Sequence, residues 1–557
     1  MTTVVSAKQR ETLMKKEKDS GLLIQGSILA AAGIVTKIIG VIYKLPLMNT
    51  LGDVGWGTFM NAFNVYNIAL TFSYNSMPMA ISKLLSASIA SGNEKKTQKV
   101  FYHSSVFGVI LGIIASLILF FGAGFFEKIK QTSGIAESLQ VLSFTVFVVT
   151  LLGLFRGYFQ GHGNMVPTSV SQVIEQIVNA VTANICVMVF CRMYAGSDQL
   201  ITKGAMGACF GTFAGAAAAL MFLVISYIRF RRDRRDELRK SEDVKENNVL
   251  IYRAIILTII PMIISQTVYQ IGGFFDDIIF KFNLVTVKHY DQHDATALQG
   301  FFSGQYSQLV NIPIAVASAL AVTLLPAITY ESSKGNIKAR DAKMLSVLKL
   351  TSLLAFPGAV GIGVMARPII MILFRGIASE EWKLNLVSGL LYCGFLSVIT
   401  YSFSTVTTSI LQGSGYMKKP VINCAVSLVI HLVFVFVLTR YTTLDAYALV
   451  IADVLFPLII MILNIISMKK YLGYSLDLKK VFLKPFLSST AMGVICFGAY
   501  RIVLMLSGMV LVSFTAAVIM AVVSYFFLIF KTKYFTRDEI FELPMGRTII
   551  SKFHIAE

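Results

Sequence analysis

GIVTKIIGVIYKLPLMNTLGDVGWGTFMNAFNVYNIALTFSYNSMPMAISKLLSAS, residues 33–88, sets two apolar runs on either side of a short glycine-rich turn. The first run carries Lys37 and Lys44, two helical turns apart, so the pair shares one helix face with roughly 10 Å between them. A lysine at bilayer depth costs at least ~2.5–3.5 kcal/mol on insertion scales and normally faces a polar cavity. Two lysines on one stripe form a cationic wall suited to an anionic substrate. The competing reading has Lys44 snorkelling to the outer headgroups and Lys37 neutralising a buried carboxylate.

The rest of the chain agrees with a bilayer setting. Of 557 residues, 55% are hydrophobic and 14% charged, against about 25% charged in soluble domains. Windows of about 20 apolar residues yield about fourteen spans, from Leu22–Leu45 to Val503–Phe530. An all-α polytopic protein is the fold class expected. The first span is too long for a signal-peptide core and no small-residue cleavage site follows it, so it reads as a retained helix. The six cysteines are scattered in or beside apolar spans without a CxxC, which gives disulfide, zinc and iron–sulfur frameworks no support.

A net charge of +19 raises nucleic acid as a partner, and the positions of the charges argue against it. Basic clusters at Lys8–Lys18, Lys95–Lys99, Arg229–Lys245, Lys334–Lys343, Lys418–Lys419, Lys469–Lys480 and Lys531–Arg537 fall on one side if the spans alternate. The opposite loops carry Asp53, Glu127, Asp198, Asp291, Asp294, Glu380, Glu381 and Asp445. This is the positive-inside pattern, with both termini in the cytoplasm. Trp56 and Trp382 are both expected at the outer interface, in an aromatic belt.

The polar break at residues 229–250 separates two halves that resemble each other. Gln160-Gly-His-Gly-Asn-Met165 recurs as Gln412-Gly-Ser-Gly-Tyr-Met417, each before a proline and a new span. Gly92-Asn93 matches Gly335-Asn336, and Pro78-Met-Ala-Ile-Ser82 echoes Pro326-Ala-Ile-Thr329. Six spans per copy is an even number, so the copies share one orientation and form parallel repeats about the membrane normal. The expected organisation is an N-terminal lobe (1–228), a charged cytoplasmic linker (229–250), a C-terminal lobe (251–468), two further helices (469–530) and a cytoplasmic tail (531–557).

Several stretches resemble a known family. Tyr43-Lys-Leu-Pro46, Leu51-Gly-Asp-Val-Gly55 and Met79-Ala-Ile-Ser-Lys83 are similar to the opening of the SpoVB/YtgP-type polysaccharide transporters. These are MurJ-like members of the multidrug/oligosaccharidyl-lipid/polysaccharide exporter superfamily. Phe155-Arg-Gly-Tyr-Phe-Gln-Gly161, Met165-Val-Pro-Thr168 and Ser171-Gln-Val-Ile-Glu-Gln176 carry the resemblance further, as do Ile260-Pro261 through Asp276-Asp277 and Asn311-Ile-Pro313 through Leu325-Pro-Ala-Ile328. The resemblance runs over essentially the whole chain. It implies a flippase for an undecaprenyl-pyrophosphate-linked saccharide, most often lipid II, in the bacterial cytoplasmic membrane. It also implies two six-helix lobes around a cationic cavity, with the last two spans lining a groove for the polyprenyl tail. Two departures stand out: Lys44 where relatives often have arginine, which replaces a bidentate fork by a point charge, and His431 where a lysine is expected.

Within this frame Lys37, Lys44 and Arg156 are the candidate pyrophosphate ligands, with an interfacial arginine as the alternative for Arg156. Glu175 is expected to pair with a basic residue of the first lobe; ion coordination is the sharper reading. Asp276 and Asp277 point about 100° apart, so at most one faces inward, and Asp276 is the one chosen; with Lys281 the pair is an ion pair, a gate or an ion site. Asp453 is an acid within the twelfth span and a functional candidate for that reason. Gly211 and Gly215 read as a helix-packing face. His289-Tyr-Asp-Gln-His-Asp294 reads as a solvated outer loop rather than a metal site.

No catalytic residue and no cofactor are expected. The coupling source, whether membrane potential, sodium or protons, stays open. The expected partners are the lipid-linked oligosaccharide, the bilayer and cell-wall synthesis proteins, with the chain itself a monomer. A cation-coupled drug exporter is the nearest alternative, disfavoured because cationic substrates want acidic or aromatic cavities. A membrane scaffold for envelope or spore assembly, recruiting enzymes through the 229–248 linker, is the alternative from another class. A membrane glycosyltransferase would need a larger catalytic loop than any present.

Overall fold

The structure, a computed structural model, describes residues 7–71, 76–89, 93–234, 248–322, 328–329, 331–332 and 334–535. Within them the regular structure is helical throughout. Among the described residues ten helices are long and apolar enough to cross a membrane, or eleven if one bent pair counts as a single span. The protein is an all-α, multi-pass membrane protein. Large apolar side chains such as Phe121, Met505 and Leu506 are about 80% exposed, as a lipid-facing surface requires.

Spatial proximity groups the chain into two compact units, Met1–Gly304 with Val435–Asp445, and Gln305–Phe434 with Ala446–Glu557. The first contains α1 (Ala7–Leu70), α2 (Ser76–Ile89), α3 (Glu94–Lys130), α4 (Ile135–Gly161), α5 (Val166–Met193), α6 (Leu200–Asp233), α7 (Asn248–Lys281) and α8 (Gln292–Phe301). The proximity units and the repeat-based lobes therefore differ in where α7 and α8 fall. Most of the charged linker and of the C-terminal tail lies outside the described residues.

Gly52 breaks α1 with φ 68° and ψ −177°, so Ala7–Leu70 is two helices that meet at a kink. That backbone geometry is essentially restricted to glycine. A core of Met77, Ile81, Leu85, Leu152, Tyr158, Leu223, Ile255 and Ile259 joins α2, α4, α6 and α7. Glycines set the closest approaches. A Cβ on Gly157 would stand 2.8 Å from the Ile81 side chain, and one on Gly161 the same distance from Leu85, so α2 lies directly on the α4 backbone. On the other side Gly211 meets Ala183, and Gly215 meets the carbonyl of Glu175, bringing α6 onto α5 as the small-residue face predicts. Trp56 departs from expectation: it is fully buried beside Phe59 and against Gly304, because α1 is covered there by the chain that follows α8. Trp382 is 58% exposed.

The second unit contains α9 (Ser307–Val322), α10 (Ile337–Val364), α11 (Ala366–Leu373), a single turn at Arg375–Ala378, α12 (Glu381–Gly394), α13 (Ser397–Gly413), most of α14 (Lys418–Tyr441), α15 (Ala446–Leu472), α16 (Lys484–Ser507) and α17 (Val510–Lys531). Its core runs through Val347, Leu348, Phe356, Phe403, Ile410, Met468 and Val481. The last two helices pack on α10: Tyr525 donates to the Leu353 carbonyl at 2.9 Å, and Lys349 donates to the Tyr534 carbonyl at 3.2 Å.

The internal repeat has a backbone counterpart. Asn93 and Asn336 cap α3 and α10 in the same way, each accepting from the backbone N–H three residues on. After α4, Gly163 has φ 74° and Asn164 donates to the Phe159 carbonyl at 3.0 Å. After α13, Gly415 has φ 92° and Tyr416 donates to the Leu411 carbonyl at 2.9 Å. A left-handed glycine with this 6→1 bond is the Schellman ending. Even the tertiary contact is shared: Gly161 abuts Ser82, and Gly413 abuts the matching Thr329.

Candidate functional site

The candidate residues of the first unit begin on α1. Lys37 is exposed and Lys44 half-buried, on the helix face their spacing sets. α5 fixes this part of α1 by two bonds to the residue beside Lys44: Asn179 donates to the Tyr43 hydroxyl and Asn184 to the Tyr43 carbonyl, both at 3.2 Å. Pro46 lies inside the helix six residues, nearly two turns, before the Gly52 break. A proline there removes one N–H from the helical ladder, and the break at Gly52 lets the halves of α1 take different directions.

Arg156 and Glu175 are brought together. Arg156 is 2% exposed, and its guanidinium donates to Glu175 Oε2 at 2.8 Å and to Ser171 Oγ at 3.0 Å. Ser171 and Glu175 sit one turn apart on α5, so one arginine engages both, bracing α4 against α5. Ser171 in turn donates to the Thr168 carbonyl at 2.7 Å, which leaves its oxygen lone pairs for the arginine. Glu175 thus has the basic partner expected of it, and the two candidates form one buried ion pair.

A second polar cluster joins α1, α3, α7 and α8. Of the two adjacent acids on α7, Asp277 is buried and Asp276, the one chosen from the sequence, is half-buried one residue earlier. Asp277 accepts from Lys130 at the end of α3, from Asn64 at 2.8 Å and from Gln299 of α8. Gln299 accepts in turn from Asn61 at 2.7 Å. Lys130 is fully buried and lies 4.7 Å above the Phe274 ring. Lys281, also fully buried, donates to the hydroxyls of Thr132 and Thr296. The helices meet tightly here: a Cβ on Gly57 would collide with the Thr296 carbonyl, and one on Gly300 would stand 2.6 Å from the Asp53 carbonyl. The sequence exposed the Asp277/Lys281 spacing of one turn. It did not expose Lys130, Asn64 or Gln299, whose partners come from elements far away in the chain.

The loop before α8 is a capping segment. Asp291 accepts from the His293 N–H at 2.8 Å and starts the helix. Asp445 accepts from Lys288 at 3.1 Å and from the Tyr290 hydroxyl at 2.8 Å, and that bond to a carboxylate holds the Tyr290 phenol above its ordinary pKa.

In the second unit Asp453 on α15 accepts from Tyr306 at 2.9 Å and Tyr401 at 2.7 Å. Tyr306 also bonds Ser397 at 2.9 Å. It ends a π-helical stretch, Phe302–Tyr306, and fits only because Gly394 has no Cβ. His431 is buried with Nδ1 3.0 Å from the Ala452 carbonyl.

These geometries can be set beside known proteins. The chain is 25% identical to the lipid II flippase MurJ of Bacillus subtilis over 82% of this chain and 84% of that protein. It is also 25% identical to stage V sporulation protein B of the same organism, over 94% and 98% of the two chains. Among solved structures, a lipid II flippase MurJ in an inward closed conformation superposes with a TM-score of 0.64 over 92% of this chain and 99% of that one, at 15% identity. A multidrug resistance MATE family transporter of the MOP superfamily, inward-facing, gives 0.62 over 80% and 98%, at 16% identity. The fold is that of MurJ-like and MATE transporters. The model of the polysaccharide biosynthesis protein family matches residues 22–330, more than half of the sequence, and this chain belongs to that family.

Proposed function

We propose that this protein is a flippase that carries an undecaprenyl-pyrophosphate-linked saccharide, lipid II foremost, from the inner to the outer leaflet by alternating access. The observation that carries the proposal is the pair Lys37 and Lys44 on one face of a spanning helix, anchored through Tyr43. A pyrophosphate stripped of water in hydrocarbon is prohibitively costly, and a preformed basic surface replaces that water. The saccharide crosses with the pyrophosphate while the polyprenyl tail stays in lipid. No bond is made or broken, so the task is binding and conformational change alone. The likeness to a lipid II flippase over 82% of the chain, and to a sporulation protein over 94% of it, supports a lipid-linked cell-envelope glycan as cargo.

In this reading Lys37 and Lys44 meet the pyrophosphate first. Arg156 reaches it only in a state where its pair with Glu175 opens. The basic loops are cytoplasmic, as are both termini. A drug exporter for cationic substrates would want acidic or aromatic side chains where these lysines stand.

The test is substrate transport by Lys37→Ala, Lys44→Ala and the double variant, each at normal membrane abundance. Each lost charge-assisted contact removes about 1.5–3 kcal/mol, or roughly 10- to 100-fold in substrate affinity. Full transport by the double variant would remove the cationic face from the mechanism.

A further inference from the structure

Lys281 poses a charge problem that the transport reading does not use. It ends α7, is fully buried, and donates to Thr132 Oγ1 at 2.7 Å and to Thr296 Oγ1. Both hydroxyl protons are already committed, Thr132 to the Lys130 carbonyl at 2.9 Å and Thr296 to the Gln292 carbonyl at 2.7 Å. Each hydroxyl therefore offers Lys281 only a lone pair. Two acceptors match the two N–H groups of a neutral amine. An ammonium would bring a third N–H and a buried charge lacking its own counter-ion.

Asp277 does not supply that counter-ion. It lies one turn before Lys281 on α7, but one of its oxygens accepts from Lys130 and Asn64 and the other from Gln299. Two lysines share one carboxylate, and one carboxylate balances one ammonium. The charged groups acting on Lys281 are Asp277, which attracts, and Lys130, which repels. Asp276 acts on Lys130. On the surrounding elements, His293 and Asp294 of α8 are exposed, and Glu127 of α3 accepts from the Ala136 N–H at 2.8 Å.

We infer that Lys281 is a proton-binding site, neutral while α7 and α8 are closed on α3 and protonated when that junction opens to water. The inference rests on the alternating-access reading, and it names the ion to which one of the two conformations responds. A hydrated lysine holds its proton at every physiological pH. The closed junction thus binds one proton fewer than the open one, and the ratio of open to closed rises up to tenfold for each unit of acidification. Acid opens the junction and alkali closes it. Neutral Lys130–Asp277 pairing is kept in the closed state, so the response belongs to one residue.

The experiment places spin labels at Ser133→Cys and His293→Cys, two exposed positions on either side of the junction, in the full-length chain with its six native cysteines replaced. The label at residue 293 also removes a titratable histidine from the measurement. Electron–electron distances are read in lipid nanodiscs from pH 6 to pH 9. With Lys281 present, the long-distance population rises as pH falls. Lys281→Met, neutral and of similar length, stays closed at every pH, whereas Lys281→Arg, always charged, is open at every pH. A pH response that survives in Lys281→Met, or a flat profile in the native background with both distances populated, overturns the proton assignment and leaves alternating access standing. A single short distance at every pH, and with lipid-linked substrate added, removes the opening itself and both readings with it.

Discussion

Arg156 on α4 and Glu175 on α5 face each other at 2.8 Å in the interior of the first unit, with Ser171 holding the arginine from one turn away. A buried pair of this kind adds little over an apolar pair of equal volume, but removing one partner strands a charge at a cost of about 3–5 kcal/mol. Arg156→Met and Glu175→Leu should each lower the melting temperature of the detergent-solubilised protein by several degrees. The double variant Arg156→Met/Glu175→Leu should recover most of the loss. A double variant as unstable as the sum of the singles would show that the pair does not act as a unit.

The α2–α4 contact is a second point of sensitivity. Gly157 and Gly161 each leave no room for a Cβ, whereas Gly163, two residues on, faces open space but has φ 74°. Gly157→Leu and Gly161→Leu should therefore destabilise by about 1–3 kcal/mol or more, through overpacking against Ile81 and Leu85. Gly163→Asn, which tolerates the left-handed region, should be nearly neutral. Thermal unfolding of the three variants side by side separates steric from conformational need.

Gly52 should behave as a conformational requirement only. Nothing stands near its missing side chain, yet its φ and ψ lie where other residues pay about 1–3 kcal/mol. Gly52→Ala is expected to bias α1 toward a continuous helix and to reduce transport more than it reduces stability. Equal fractional losses in both measurements would assign Gly52 to stability alone.

Removing residues 235–245 tests the scaffold alternative. A flippase needs the linker only to connect spans, and a flexible replacement of equal length should retain most transport. Complete loss of envelope function with transport intact in vesicles would instead favour partner recruitment through the linker.

Much of this architecture is legible in the chain because its signals are local. The Schellman endings after α4 and α13 need a left-handed residue, so glycine marks both copies, and the asparagine caps of α3 and α10 leave a matching trace. The spacing of Lys37 and Lys44 is likewise a property of one helix. The polar cluster is different. Whether Asp276 or Asp277 faces inward depends on the rotation of α7 against α1 and α3, which adjacent identical side chains cannot reveal. Lys130 reads as a basic residue at a helix end, since its partner lies on another element 147 residues later. Trp56 reads as an interfacial anchor because the chain that covers it begins beyond Gly300. In both cases the missing information is tertiary.

The most direct test of the central claim is the leaflet accessibility of labelled lipid II in cells depleted of other flippases, with this protein present or absent and Lys37→Ala/Lys44→Ala alongside. The account predicts that lipid II reaches the outer leaflet when the native protein is present, and falls at least tenfold with the double variant at equal abundance. Lipid II that stays inside despite normal levels of the native protein would contradict it.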